Sequence, residues 1–255
     1  MEKKRVKYKK SPLIEVIYQL RFPTILSIES EQPVQFQERI REKYPFYDVQ
    51  TEEQSNISFD PRLKSVSMNK LGENKNYSFI DVDRVYKVNL TASFISISTK
   101  LYTQWETFWD NAQYVIKVFE EIYNPSFYNR VGLRYRNVIR RSILGLEECK
   151  WKELVSPEFL GIMGKTNEEG VKVYKTATEY QTDVEDVIST ARIELVHVNH
   201  EEELCFLIDC DYYTNGINES SKIKYISDSL HEASNNFMQS AFTERLSMAM
   251  EPEDI

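Results

Sequence analysis

The residues best suited to bind an anion lie in one segment, residues 129–141, with the sequence NRVGLRYRNVIRR. Five of these residues are arginine, and apolar residues alternate with them as in a β-strand. Successive side chains of a strand point to opposite faces of a sheet. The residues that then share one face are Arg130, Gly132, Arg134, Arg136 and Arg140. Because unpaired buried charge is very costly, this face must meet carboxylates or an anionic ligand.

Two interpretations of the arginine face remain open. In the first, acids on neighbouring strands form ordinary cross-strand ion pairs with it. In the second, it binds an anionic small molecule. Gly132 is compatible with both, because a glycine inside a strand marks a bulge, a close approach or simple packing. The candidate anion-binding residues are Arg21, Arg130, Arg134, Arg136, Glu15 and Asn137.

Asn137 differs from the other candidates because it belongs to the opposite, apolar face of the same strand, beside Tyr135. A buried amide must find hydrogen-bond partners. The sequence therefore predicts either a polar contact that pins this strand to a loop or a contribution to a site.

Two pairs of aspartates are the weaker candidates for a metal site. Asp81 and Asp83, and likewise Asp209 and Asp211, are two residues apart, so on a strand both carboxylates of a pair face the same way. Such a pair can share Mg²⁺ or Mn²⁺ with phosphate oxygens. The alternating acids expected at the first strand of a triphosphate-processing barrel are absent, since only Glu15 stands there. No catalytic residue is identified, and no cofactor is predicted outside this metal-dependent alternative.

The first half of the chain supplies the strands that position the arginines. Residues 13–22 alternate, with Glu15 and Arg21 on the polar side of a first strand. Residues 30–44 predict a helix with Ser30 as its N-cap. The strands predicted in this half cover residues 13–22, 46–50, 56–60, 65–69, 77–90, 94–101 and 130–140.

A central helix is predicted from Thr103 onward, where Thr103 and Glu106 have the spacing of a capping box. Its aromatic and aliphatic residues recur at three and four residue intervals, which predicts one broad buried stripe. The stripe contains Trp105, Phe108, Trp109, Ala112, Val115, Ile116, Phe119 and Ile122. We interpret the two tryptophans as core residues rather than as the wall of a cofactor site.

The second half predicts an antiparallel meander and a long helix. Its strands cover residues 171–182, 186–198 and 203–212, with a turn at 199–202, and the helix covers residues 221–250. The expected fold is therefore α+β, a mainly antiparallel sheet of about nine strands that carries the aromatic helix and the C-terminal helix. An N-terminal half, residues 1–143, and a C-terminal half, residues 144–255, are expected to form one compact unit.

Composition limits the classes of function. The chain has 255 residues and a formal net charge of -8, which argues against general DNA binding. No run of about 18 apolar residues is present, so we expect no membrane partner. The opening MEKKRVKYKK lacks the features of a secretory signal, and the three cysteines have no CxxC spacing. These features predict a soluble cytoplasmic protein with reduced thiols.

Three segments together resemble a known family. PLIEVIYQLRFP at residues 12–23, YTQWETF at 102–108 and RVGLRYRN at 130–137 are similar to a sporadically distributed bacterial and archaeal family of conserved uncharacterised proteins of about this length. The resemblance covers essentially the whole chain. It implies a shared fold and supplies no reaction, substrate or partner.

Two functions from different classes follow. The first is a non-enzymatic binding or interaction protein, which the sporadic distribution of the family suggests is part of a mobile defence or toxin–antitoxin type cassette beside a protein encoded nearby. The second is a metal-assisted phosphohydrolase or an enzyme that binds nucleotides or polyphosphate. The enzyme requires the arginine and aspartate faces to converge on a cavity, whereas the interaction protein can bury the same charges in ion pairs. A homodimer is a further expectation.

Overall fold

The computed structural model describes residues 6–60, 65–165, 177–184, 186–198 and 202–254, and their side chains except those of 52–60, 65–73, 184 and 254. The strands are β1 (Val6–Tyr8), β2 (Leu13–Arg21), β3 (Phe46–Asp60), β4 (Ser65–Ile80), β5 (Tyr86–Leu90), β6 (Phe94–Thr99), β7 (Tyr128–Ile139), β8 (Ala177–Val184), β9 (Val187–His197), β10 (Leu204–Asn218) and β11 (Pro252–Asp254). The helices are α1 (Leu26–Ser30), α2 (Val34–Ile40), α3 (Trp105–Tyr123), α4 (Arg141–Leu144), α5 (Pro157–Leu160), α6 (Ile223–Ala241) and α7 (Glu244–Ala249). Short 3₁₀ turns lie at Trp151–Glu153, Gly161–Lys165 and Ser220–Lys222.

Nine strands form one antiparallel sheet in the order β3-β4-β5-β6-β2-β7-β10-β9-β8. The arginine strand β7 therefore lies at the centre, between β2 and β10. In this register Glu15 stands opposite Arg136, and Asp211 stands opposite Arg134. The predicted α+β class, the sheet of nine strands and the predicted meander are confirmed.

One face of the sheet carries the core and both long helices. Alternation buries Val16, Tyr18 and Leu20 of β2 on this face. The aromatic stripe of α3 packs against it, with the Tyr18 and Trp109 ring centroids 5.7 Å apart. Burying each large apolar side chain contributes about 1.5–3 kcal/mol, so this layer anchors the sheet. Helix α6 covers β7, β10 and β9 on the same side.

The two segments at the ends of the described chain pair with each other. Strands β1 and β11 form a separate antiparallel two-stranded sheet, in which Val6 stands opposite Asp254. Beyond it, the backbone N–H groups of Lys9 and Lys10 donate to the carbonyls of Glu251 and Met250. We call the paired segments 6–10 and 250–254 the strap.

Several predicted elements are wrong in detail. Residues 77–90 form the hairpin β4–β5 rather than one strand, because the Asp81 Oδ1 atom accepts hydrogen bonds from the backbone N–H groups of Val85 and Tyr86 at 2.7 and 2.9 Å. Arg84 adopts a positive φ of 56° in this turn. The three weak strands predicted between residues 46 and 69 belong to one long hairpin, β3–β4.

The helix predictions also need correction at their ends. The segment at 30–44 contains one short helix, α2, whose N-cap is Pro33. Ser30, the predicted N-cap, is instead the last residue of α1. Helix α3 begins after Gln104, and no side chain caps it, so the predicted capping box of Thr103 is wrong. The C-terminal helix divides into α6 and α7, because Thr243 accepts a hydrogen bond from the Leu246 N–H as a new N-cap.

Parts of the predicted second half lie outside the described residues, namely residues 171–176 and the turn at 199–201. No helix in the described part of the chain is long and apolar enough to cross a membrane.

Candidate functional site

The arginines of β7 face away from the helices and meet carboxylates of both neighbouring strands. Arg134 binds Asp209 of β10 in a bidentate pair, with N–O distances of 2.7 and 2.6 Å. Arg136 donates to Glu15 of β2 at 2.7 Å, and its Nε lies 3.5 Å from Asp209. The hydrogen bonds to Asp209 raise the pKa of Arg134 above its ordinary value. We call this surface the charged sheet face.

Gly132 has a structural role on the charged sheet face. The guanidinium of Arg130 lies across it, and a Cβ at position 132 would be 2.2 Å from Arg130 Nη1. From there Arg130 donates to Asp211 at 2.6 Å and to Gln19 at 3.3 Å, and it stacks 4.4 Å from the Tyr213 ring centroid. The glycine therefore makes room for an arginine of its own strand.

Two of the remaining arginines of the face also meet carboxylates, and Arg21 meets a glutamine. Arg21 is exposed and its Nε donates to Gln19 at 2.8 Å. Arg140 lies 3.5 Å from Glu203, and Arg192 lies 2.9 Å from Glu194. The guanidinium groups of this face other than that of Arg21 thus have carboxylate partners, and an incoming anion would have to displace them.

The aspartates predicted as metal candidates do not come together. Asp81 and Asp83 lie in the β4–β5 turn, where the Asp81 carboxylate binds backbone N–H groups. Asp209 and Asp211 share the charged sheet face and bind Arg134 and Arg130. Among the described residues, no group of three or more acidic, histidine or cysteine side chains could hold a metal ion.

A second location lies on the opposite face of β7, and it includes Asn137. Here the start of α3, the middle of α6, the strap and residues 11–13 and 100–104 line an open cavity of about 570 Å³. We call it the terminal pocket. Its volume falls within the range of about 300–1,000 Å³ typical of sites for small organic ligands.

The polar centre of the terminal pocket is His231 of α6, which is only 6% exposed. Its Nδ1 lies 2.8 Å from the hydroxyl of Tyr135, and the Nδ2 of Asn235 lies 3.3 Å from its Nε2. An amide nitrogen only donates, so in this arrangement Nε2 accepts and Nδ1 carries the proton that Tyr135 receives. The imidazole stacks on the indole of Trp105, with ring centroids 4.6 Å apart and an angle of 10°.

Asn137 is a weakly bonded polar group of the pocket. The residue is 4% exposed, and the one hydrogen bond of its side chain within the described structure is the weak contact from Nδ2 to Met238 Sδ at 3.8 Å. Buried amides are normally bonded through both oxygen and nitrogen. A ligand in the pocket would find this amide available.

Charged side chains surround the mouth of the pocket. Lys7 and Lys9 of the strap share Glu253 of β11 at 3.7 and 3.8 Å. Lys100 and Glu106 also line the pocket, and Glu106 belongs to the first turn of α3. Three lysines and two glutamates therefore line the same pocket.

Sequence reasoning found only part of this arrangement. It placed Asn137 correctly on the apolar face, but it also grouped Asn137 with the arginines as anion-binding candidates, and the two lie on opposite faces of the sheet. Trp105 was predicted as core, and it is 4% exposed, but its ring also forms a pocket wall. His231 lies between the stripe residues Leu230 and Ala233 of α6, and its spacing gives no signal that distinguishes a site residue from a core residue.

Comparison with known proteins adds no family to this geometry. No protein-family model matches the chain, and a search of curated proteins found no match. The resemblance carried by residues 12–23, 102–108 and 130–137 therefore stays a prediction.

Proposed function

We propose that the protein is a non-enzymatic binding protein that holds a small organic molecule in the terminal pocket. The observation that supports this most directly is Asn137, a buried amide on the pocket wall with one weak hydrogen bond. Leaving such a group unsatisfied costs about 1–3 kcal/mol. A bound ligand that completes the hydrogen bonds of this amide would recover part of that free energy.

The charged sheet face supports the same class of function. A phosphohydrolase would need the arginines and aspartates to converge on a cavity with unused ligand positions. Instead, Asp209 and Asp211 are hydrogen-bonded to Arg134 and Arg130 along the sheet. Binding of an anion at Arg21, Arg130, Arg134 and Arg136 stays a prediction, as does a metal-assisted reaction.

The proposal is tested with a thermal-shift screen of aromatic and heteroaromatic fragments on the wild type and on Asn137→Leu. A fragment at 100 times its dissociation constant stabilises the fold by about 2.7 kcal/mol. We expect fragments that raise Tm of the wild type only. These fragments should also quench the fluorescence of Trp105. The quenching should disappear in Trp105→Phe and persist in Trp151→Phe, because Trp151 packs on Phe206 outside the pocket. The proposal is refuted if every fragment changes the Tm of Asn137→Leu by the same amount as that of the wild type.

The wider expectations from the sequence remain proposals. We infer a cytoplasmic protein that acts beside a protein encoded nearby in a mobile cassette, and a homodimer is compatible with this role. Copurification of the tagged chain with products of neighbouring genes, together with its mass in solution, tests both expectations.

A further inference from the structure

We propose that the ligand of the terminal pocket is a planar aromatic or heteroaromatic anion, a carboxylate or a phosphate monoester, whose charged group lies at the strap lysines. This inference rests on the proposed function and names the class of ligand. It follows from three features of the pocket: the charged residues that line it, the start of α3, and the aromatic and polar side chains of its interior.

The mouth carries lysines that are loosely held. Lys7 and Lys9 both approach Glu253, but at 3.7 and 3.8 Å, which is beyond hydrogen-bond distance. By contrast, Lys10 on the same segment binds Glu251 at 2.7 Å and does not line the pocket. One carboxylate that serves two ammonium groups leaves them able to bind a second anion. Lys100 adds a third positive charge.

The start of α3 lies at the same opening. This helix has 19 residues, and no side chain caps its N-terminus at Gln104. Backbone N–H groups at a helix start favour negative charge. The helix terminus acts together with the lysines and with the nearly unbonded amide of Asn137, which is 4% exposed. The carboxylate of Glu106 in the first turn limits how far an anion can follow the helix inward.

The interior of the pocket is lined by aromatic and polar side chains. The stacked rings of Trp105 and His231 form one wall, and Tyr102 meets Tyr135 edge to face at 6.0 Å. Planar rings pack well against such surfaces. Asn137 can then donate to and accept from the edge of a ring that carries its own polar atoms. An anion with such a ring satisfies both ends of the pocket.

The test uses matched pairs of probes that differ in charge. Indole-3-acetate is compared with indole-3-acetamide, and adenosine 5′-monophosphate with adenosine, while inorganic phosphate serves alone. Tryptophan fluorescence and thermal shift give the dissociation constants. We expect at least one anion to bind tenfold or more tightly than its neutral counterpart, which corresponds to about 1.4 kcal/mol. The two pairs distinguish a carboxylate ligand from a phosphate ester.

Variants locate the charge preference. Lys7→Gln combined with Lys9→Gln should remove most of the tenfold preference, whereas Lys10→Gln should keep it. Glu253→Gln should tighten the anion, because its carboxylate competes for the same lysines. A Glu253→Gln variant that weakens the anion would contradict this inference.

The outcomes separate this inference from the proposed function. If neutral probes bind as tightly as the anions and lose binding in Asn137→Leu, the pocket is a binding site and the ligand class is wrong. If inorganic phosphate alone binds as tightly as the ring-bearing anions, the ring contributes nothing and the inference also fails. If no probe or fragment distinguishes Asn137→Leu from the wild type, both proposals fail.

Discussion

Replacing Asn137 by leucine should stabilise the protein. The residue is 4% exposed, and among the described residues its amide makes one weak hydrogen bond, to Met238 Sδ at 3.8 Å. An unsatisfied buried polar group costs about 1–3 kcal/mol. Because this amide borders a cavity, we take the lower part of that range. Leucine has a similar volume and no polar atoms, so the free energy of unfolding should rise by about 1–2 kcal/mol.

Urea denaturation and calorimetry measure this effect. At roughly 2–4 °C per kcal/mol for a chain of this size, Tm should rise by about 2–8 °C. Asn218 provides the matched control, because it is 9% exposed and its Nδ2 donates to the carbonyls of Tyr128 and Gly216 at 3.1 and 3.3 Å. Asn218→Leu should therefore lose about 1–3 kcal/mol.

The two substitutions should change the free energy of unfolding in opposite directions. If Asn137→Leu destabilises the protein as much as Asn218→Leu, then Asn137 is a structural residue. The terminal pocket would then lose its main support as a binding site. A stabilised variant that also loses its ligand would show the conflict between stability and binding that marks functional sites.

Three further predictions concern the sheet and α6. Arg134→Met leaves the nearly buried Asp209 carboxylate without its bidentate partner, so the free energy of unfolding measured in urea should fall by about 1–2 kcal/mol. Adding Asp209→Leu should restore most of this loss. If Arg134→Met alone leaves the stability unchanged, the pair contributes nothing. Gly132→Ala pushes the Arg130 guanidinium away and should lower the free energy of unfolding by up to about 1 kcal/mol. In an Arg130→Ala background the same substitution should be neutral or stabilising, because alanine restricts the unfolded chain. Burial raises the pKa of Asp228, but hydrogen bonds from a lysine and an indole hold this pKa below its ordinary value of 3.8. The ionised carboxylate therefore stabilises the fold above pH 3.8, and this stabilisation is lost as the pH falls through the lowered pKa. Asp228→Asn should flatten the acid unfolding curve in that range, and an unchanged curve would exclude this contribution.

Alternation in the sequence was sufficient to place the two central strands. Residues 13–22 and 130–140 each put apolar and charged side chains on opposite faces, and a shift of one residue would have buried the arginines. The periodic stripe of α3 was equally informative, because no other arrangement buries so many aromatic side chains. These features depend on residues close in sequence, so the chain alone predicts them.

Features that depend on distant contacts were not predictable. The pattern at 77–90 resembles one strand, and only the hydrogen bonds of Asp81 show that a turn interrupts it. The division between α6 and α7 likewise follows from a bridge between Val155 and Phe242. The terminal pocket requires residues from both ends of the described chain, and no local pattern indicates that they meet.

The strap also affects the order in which the fold forms and opens. Pairing Val6 with Asp254 closes a loop of nearly the whole chain, and the entropic cost of closure increases with loop length. The strap offsets this cost with only a few hydrogen bonds and with ion pairs that are exposed to solvent. It should therefore form after the central strands and open far more often than those strands do. Its amide protons should exchange with solvent by local opening, while those of β2, β7 and β10 require global unfolding. A ligand could then reach His231 through a fluctuation that leaves the sheet intact.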